Sequence, residues 1–256
     1  MKNSLLFVTF IASMAILYGN TFSLVSKNQD MKSIKFVSST IEFNEKDGYT
    51  RLTNPELGST VEDGMPELPT YSTFFHMEPG KAYNVEFEVV SSHTVDNIEI
   101  FPYQGEPEIG TVRPFLKNVD FYTSKSKFPE SNITVSEPMI MRDIEVGQIT
   151  FIPFEYNAHE KQLTIYDDVN ISVIESGERE DVANFPLKRS YLFEPFYEDL
   201  ILDYEPLSTR EEYQPATIMY VCGGASLSHP FVQDLIEWRR LQGYIVYAVS
   251  TSETGG

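Results

Sequence analysis

The chain has 256 residues, with 19 Lys and Arg against 38 Asp and Glu, for a formal net charge of −19. That balance excludes a nucleic-acid partner, because neutralising phosphates needs a basic face, and it opposes docking on anionic lipid. Apolar residues make up 41% of the sequence, enough for a packed core rather than an acidic disordered tail.

At the N-terminus, Lys2 precedes an apolar run from Leu5 to Leu17. This is the length of a signal peptide and is shorter than the ~20 residues that span a bilayer. Thr21 and Ser23 take the −3 and −1 positions of a cut between Ser23 and Leu24. The alternative is an uncleaved anchor. Either way the remainder leaves the cytosol, so the expected location is secreted, extracellular or cell-surface, with no membrane partner once the signal is removed. Cys222 is the single cysteine, so no intrachain disulfide forms and stability must come from an ordinary core. His76, His93, His159 and His229 are scattered without metal-ligand spacing.

Residues 24–175 read as all-β. Val85, Phe87 and Val89 alternate with Glu86 and Glu88, and Ile98-Glu99-Ile100 repeats the habit. Val146–Ile152 and Leu163–Tyr166 read as strands joined by the hairpin-like turn Asn157-Ala158-His159-Glu160. Val169–Val173 reads as a further strand after a turn at Asp167-Asp168. The expected architecture is an antiparallel sandwich or barrel-like domain.

Residues 176–216 read as a connector. Pro186, Pro195, Pro206 and Pro215 exclude long helices, while Tyr191, Phe193, Phe196 and Tyr197 anchor the segment to a surface. Arg179, Lys188, Arg189 and Arg210 are its candidate processing sites.

The pattern changes at residue 217. Thr217–Cys222 is a continuous apolar run, typical of a strand buried on both faces. Gly223-Gly224 turns, Ser228 is the expected helix N-cap and Pro230 lies in the first turn. Phe231, Val232, Leu235, Ile236, Trp238 and Leu241 recur at helical spacing up to Gly243, and Tyr244–Val249 is a second strand. Residues 217–256 therefore start an α/β domain that cannot stand alone, with a net charge of only −1, and the chain reads as the front end of a longer polypeptide.

Three stretches carry a family resemblance. Gly64-Met65-Pro66-Glu67-Leu68-Pro69 resembles the Gly-x-Pro-x-Leu-Pro stretch of gingipain-type propeptides. Met141–Ile144, Ile152–Asn157 and Leu163–Val169 are similar to the C-terminal hairpin of those propeptides. Ile218–Thr251 resembles the opening of their peptidase domain. The resemblance covers about residues 42–256 and implies the precursor of a secreted cysteine endopeptidase. It implies a caspase-like peptidase domain whose catalytic His and Cys lie past Gly256, so no catalytic residue is expected in this segment. What this chain contributes is then the propeptide, which aids folding and covers the active-site cleft. Its partners are its own peptidase domain and, for the mature enzyme, protein substrates. Gly64, Pro66, Leu68 and Pro69 carry a structural role, with the two prolines holding an extended edge segment. Arg113, Lys125, Lys127 and Arg142 are candidate inhibitory plugs for a specificity pocket. An acidic domain would latch onto a basic cleft rim with salt-dependent affinity.

Local chemistry has ordinary explanations beside the sharper ones. Cys222 and His229 form a candidate dyad, or a small core residue and a helix-start residue. Asp120, Asp167 and Asp168 are candidate calcium ligands, or plain turns, and no cofactor is required. Asn132-Ile133-Thr134 and Asn170-Ile171-Ser172 match the glycosylation sequon. The competing function class is a surface-binding, adhesin-like β-sandwich fused to an unrelated α/β domain.

Overall fold

The computed structural model describes residues 21–28, 30–105, 110, 114–180, 188–209 and 212–255. Residues 1–20, where most of the expected signal peptide falls, and the candidates Arg113 and Arg210 lie outside them. In chain order the elements are β1 (Phe22–Lys27), β2 (Met31–Val37), β3 (Glu42–Lys46), β4 (Tyr49–Thr53), β5 (Gly58–Ser59), β6 (Pro69–His76) and β7 (Lys81–Asp96). There follow α1 (Val119–Thr123), β8 (Lys127–Phe128), β9 (Ile133–Val135), β10 (Met139–Met141), β11 (Ile144–Phe151), β12 (Phe154–Asn157) and β13 (Gln162–Glu178). The last are α2 (Glu194–Leu200), β14 (Thr217–Cys222), α3 (Pro230–Leu241) and β15 (Ile245–Ser250).

Two antiparallel sheets face each other. One runs β1-β2-β13-β12-β8, with β7 along the other edge of β13. The second runs β10-β11-β6-β5, with β9 also on β11. They do not close on each other, so the β region is a sandwich and not a barrel. The core lies between them. Phe36 of β2 meets Tyr71 of β6 and Phe151 of β11 edge-to-face, at 5.0 and 4.9 Å between centroids. All three rings are essentially inaccessible. Each such ring contributes roughly 1.5–3 kcal/mol through burial, with about 0.5–1.5 kcal/mol more from edge-to-face geometry. Gly147 of β11 is required by this packing, because a Cβ there would come within 2.6 Å of the Phe75 ring.

Alternation predicts β7 and the two ends of β13, with two corrections. Asp167-Asp168 is not a turn. β13 runs straight through it, absorbing the irregularity as a bulge against β7 between Tyr166 and Asp168. Val146–Ile152 also does not pair with Leu163–Tyr166. The chain changes sheet at Ile152-Pro153, and it is β12 that pairs with β13, Phe154 opposite Ile165. Asn132 holds this corner by donating from Nδ2 to the Ile152 and Phe154 carbonyls, at 2.7 and 2.9 Å. That amide nitrogen, half of one sequon, is therefore occupied. Asn170 stands exposed on β13.

Ser23 lies in β1 opposite Lys35. Its neighbour Phe22 is buried and packs on Phe36 at 5.3 Å, so a cut after Ser23 removes a core ring.

β14, α3 and β15 form a parallel strand-helix-strand unit, Thr217 opposite Ile245 and Cys222 opposite Ser250. The N-cap of α3 is His229 rather than Ser228. Its Nδ1 accepts from the Phe231 N–H at 3.3 Å, and Pro230 takes the position after it, where no donor is needed. Ser228 closes the preceding 3-10 turn. The strands are not buried on both faces. Met219, Val221, Ile245 and Tyr247 are exposed, because the described sheet has only two strands.

Candidate functional site: a braced loop and a clasped strap

The Gly64–Pro69 motif is buried except for half-buried Met65. It opens in a turn at Gly64 and is extended from Pro66 to Pro69, as its prolines dictate, and it lies inside the domain. Gly64 donates to the Tyr103 carbonyl at 2.8 Å and accepts from the Asn118 N–H at 2.9 Å. Tyr103 N–H returns to the Met65 carbonyl at 2.8 Å, and Glu67 N–H reaches the Phe101 carbonyl at 2.9 Å. Gly64 is at φ +76°, and a Cβ there would lie 2.9 Å from the Asn118 nitrogen. Only glycine fits this approach. The Gln104 side chain completes the brace: Nε2 donates to the Pro102 and Leu116 carbonyls and Oε1 accepts from the Leu116 N–H at 2.9 Å. The motif thus grips both ends of the stretch between Gln104 and Leu116.

Electrostatics reinforce the base. Lys117 bonds Glu99 at 2.9 Å and the Tyr49 hydroxyl at 3.1 Å, and Lys161 adds a second contact to Glu99 at 3.1 Å. The hydrogen bond from Lys117 is the main reason that the Glu99 carboxyl titrates below its ordinary range. Tyr122, donating to the Ile100 carbonyl at 2.8 Å, is held neutral by burial.

The plug candidates separate. Arg113 lies outside the described residues. Lys127 pairs with Glu155 at 2.5 Å. Arg142, at φ +59°, pairs with Asp143 at 2.5 Å and covers the Phe193 ring at 4.7 Å. Lys125 is exposed in the short loop between α1 and β8, with no ion pair among the described residues.

The connector is not a loose tether between Ser190 and Tyr204. α2 buries Tyr197 completely, and Tyr197 and Ile201 pack on Ile144 and Val146 of β11. Asp143, fully buried, accepts from the Tyr197 hydroxyl and from the Ser190 N–H at 3.1 Å. Leu202 N–H reaches the Phe74 carbonyl at 2.9 Å. Asp203, with its side chain 1% exposed, accepts from the His76 N–H at 2.7 Å and pairs with Lys32 at 3.0 Å and Lys27 at 3.6 Å. Lys32 sits at a core-facing position of β2 and also donates to the His76 carbonyl. Burial pulls its pKa down, and Asp203 opposes that shift. These groups form a clasp that fastens the strap to both sheets.

The processing candidates sit around this clasp. Arg179 follows β13, bonds the Gly80 and Lys81 carbonyls and pairs with buried Glu145. Lys188 is exposed. The Arg189 carbonyl accepts from the Gln214 N–H at 2.8 Å. Arg210 lies outside the described residues. Among the clasp residues, neither Asp143, Asp203 nor Lys32 carries a local sequence signal, because their partners are distant in the chain.

His76 gives the clasp a pH dependence. Burial lowers its pKa from 6.5 to about 4, with Lys32, Arg189 and Lys27 adding to the shift and Asp203 opposing it; Glu78, Glu205 and Glu212 line the same cavity. The imidazole is neutral in the fold, and the unfolded chain takes up the proton first. This stability is complete above pH 6.5 and is lost as the pH falls towards 4, by at most about 3 kcal/mol. Denaturant midpoints measured from pH 7 to 4.5 are expected to fall, and less steeply in His76→Gln, which keeps the backbone bond to Asp203.

The remaining candidates do not assemble. Cys222 is buried, while His229 is exposed with its Nδ1 spent on the helix cap. Asp167 pairs with His93 at 2.8 Å, Asp168 with Lys35 at 2.9 Å, and Asp120 lies apart in α1. No group of three potential metal ligands occurs among the described residues.

A β-sandwich clasped at its C-terminal strap, bracing one loop and leading directly into a parallel α/β start, has the layout of a peptidase propeptide joined to its enzyme. The Propeptide_C25 family profile matches residues 19–206, and the chain belongs to that family. Gingipain R1 of Porphyromonas gingivalis is 27% identical over 237 residues, covering 88% of this chain and 14% of that protein. Gingipain R2 of the same organism is 25% identical over 270 residues, covering 94% of this chain and 36% of that protein. The chain thus spans roughly a third or less of the curated relatives it matches. The structure of the complex of Porphyromonas gingivalis RgpB pro- and mature domains matches with a TM-score of 0.60 and 26% identity, over 72% of this chain and 98% of that one. A structure of gingipain K from the same organism, addressing its zymogenic latency, shares the fold at TM-score 0.52 and 18% identity, over 61% of this chain and 92% of that one. The surface-adhesin alternative is set aside by the family match.

Proposed function

We propose that the chain is the latency-conferring part of a secreted cysteine endopeptidase precursor, entering the export pathway through its N-terminal signal and covering the cleft of its own peptidase domain. The family membership makes it a propeptide of this type. The single observation that carries the inhibitory reading is the brace, in which Gly64, Gln104 and Asn118 hold both ends of one loop at fixed separation. Fixing where the two ends stand lowers the entropy lost when the segment between them docks. Of the described basic candidates, Lys125 is the one left open to a partner's carboxylate. Residues 24–204 act as the inhibitory body, and residues 217–256 begin the enzyme.

The experiment is addition of this chain in trans to the separately produced cognate peptidase domain. Micromolar chain is expected to slow peptide hydrolysis, less strongly at high salt if the acidic surface contributes. An unchanged rate sinks the inhibitory role.

A further inference from the structure

α2 is apolar on two sides. Its inner side holds Tyr197, with Ile201 just beyond the helix. Its outer side leaves Phe196 and Leu200 50% and 37% exposed, and Leu192, in the 3-10 turn that leads into the helix, is 48% exposed. The inner contacts already fasten the strap, so the outer row is not needed to hold it. In a chain with 38 acidic residues, a row of three large apolar side chains kept at the surface marks a docking face.

The surroundings identify the occupant. Leu192 lines a cleft with Gln242, Gly243 and Tyr244, the turn that links α3 to β15. The strap is tied to the entry of that unit by the Gln214 N–H to Arg189 carbonyl bond and by the Ser190–Gln214 bridge. The row therefore starts, at Leu192, from a cleft that the strap already shares with the strand-helix-strand unit. That unit exposes its own apolar residues, among them Met219, Val221, Trp238 and Tyr247. Protein that covers these comes up beside the strap.

We infer that the Leu192-Phe196-Leu200 row is an interface with the body of the peptidase domain, a second contact besides the braced loop. The inference rests on the proposed latency and deepens it by naming this surface. Docking two separate elements of one rigid propeptide makes the second contact intramolecular once the first has formed. The row acts as a positioning element and touches no substrate.

The test uses the full-length precursor and the variants Leu192→Ser and Phe196→Ser. Both positions are about half exposed, so thermal midpoints are expected to change by less than about 2 °C. Hydrogen exchange over residues 191–200 is expected to be at least tenfold slower in the precursor than in this chain alone. Each variant is expected to weaken inhibition in trans at least tenfold. Equal exchange in the two forms, or unchanged inhibition by both variants, overturns the inference. Protection that grows with the concentration of this chain alone overturns it in favour of a second copy as occupant. A precursor with no latency fails the functional proposal instead, and that result is separate because it appears in the unsubstituted protein.

Discussion

Asp203→Ala lowers the stability of the chain by about 3–5 kcal/mol, the usual cost of removing one partner from a buried ion pair. The substitution strands the Lys32 ammonium, 5% exposed, and leaves the His76 N–H without its acceptor. It also frees the C-terminal end of the strap, so tryptic cleavage at Arg189 is expected to accelerate. The double variant Asp203→Leu with Lys32→Met is expected to recover the part of the loss that comes from the stranded ammonium, because two well-packed apolar groups can replace a buried pair at little cost, while the His76 N–H stays without its acceptor. Urea denaturation of the two variants beside the unsubstituted chain measures this. A loss below about 1 kcal/mol in the single variant contradicts the clasp.

Gly64→Ala is expected to cost about 2–3 kcal/mol and to weaken inhibition beyond that loss. Two physical effects combine. An L-residue at φ +76° pays about 1–2 kcal/mol, and the new Cβ presses on the Asn118 backbone at 2.9 Å, where nothing flexible can yield. Gly48 supplies the control. It has φ +80° with nothing within 4 Å of its Cβ position, so Gly48→Ala isolates the backbone effect. Equal costs at the two positions show that the approach to Asn118 is unimportant and dismiss the brace. An added loss of inhibition in Gly64→Ala alone supports it.

Regular elements were legible where local pattern suffices. The Val85-Phe87 face of β7 and the whole β14-α3-β15 unit follow from periodicity and stop signals. The Asp47-Gly48 dipeptide, with both residues at positive φ, is a hairpin signal for β3 and β4 that alternation of apolar residues does not carry. Asp167-Asp168 looked like a turn because two acids in a row rarely continue a strand. Lys35 and His93 on the neighbouring strands pair with them and keep it extended. Ser228 looked like the helix cap by residue type, yet the imidazole of His229 performs the capping. The clasp was invisible because Lys32, Asp143 and Asp203 become meaningful only when the fold buries them together. The motif at Gly64 was visible as a pattern, but its purpose depends on Tyr103, Gln104 and Asn118, whose meeting no local rule encodes.

The proposed latency requires this domain to silence the peptidase domain. Its most direct test is the initial rate of peptide hydrolysis by the cognate peptidase domain, titrated with this chain and, in parallel, with Gly64→Ala. A saturable fall towards zero is expected with the unsubstituted chain, and a weaker effect with the variant. A rate that stays constant up to micromolar chain, with both proteins folded, contradicts the latency.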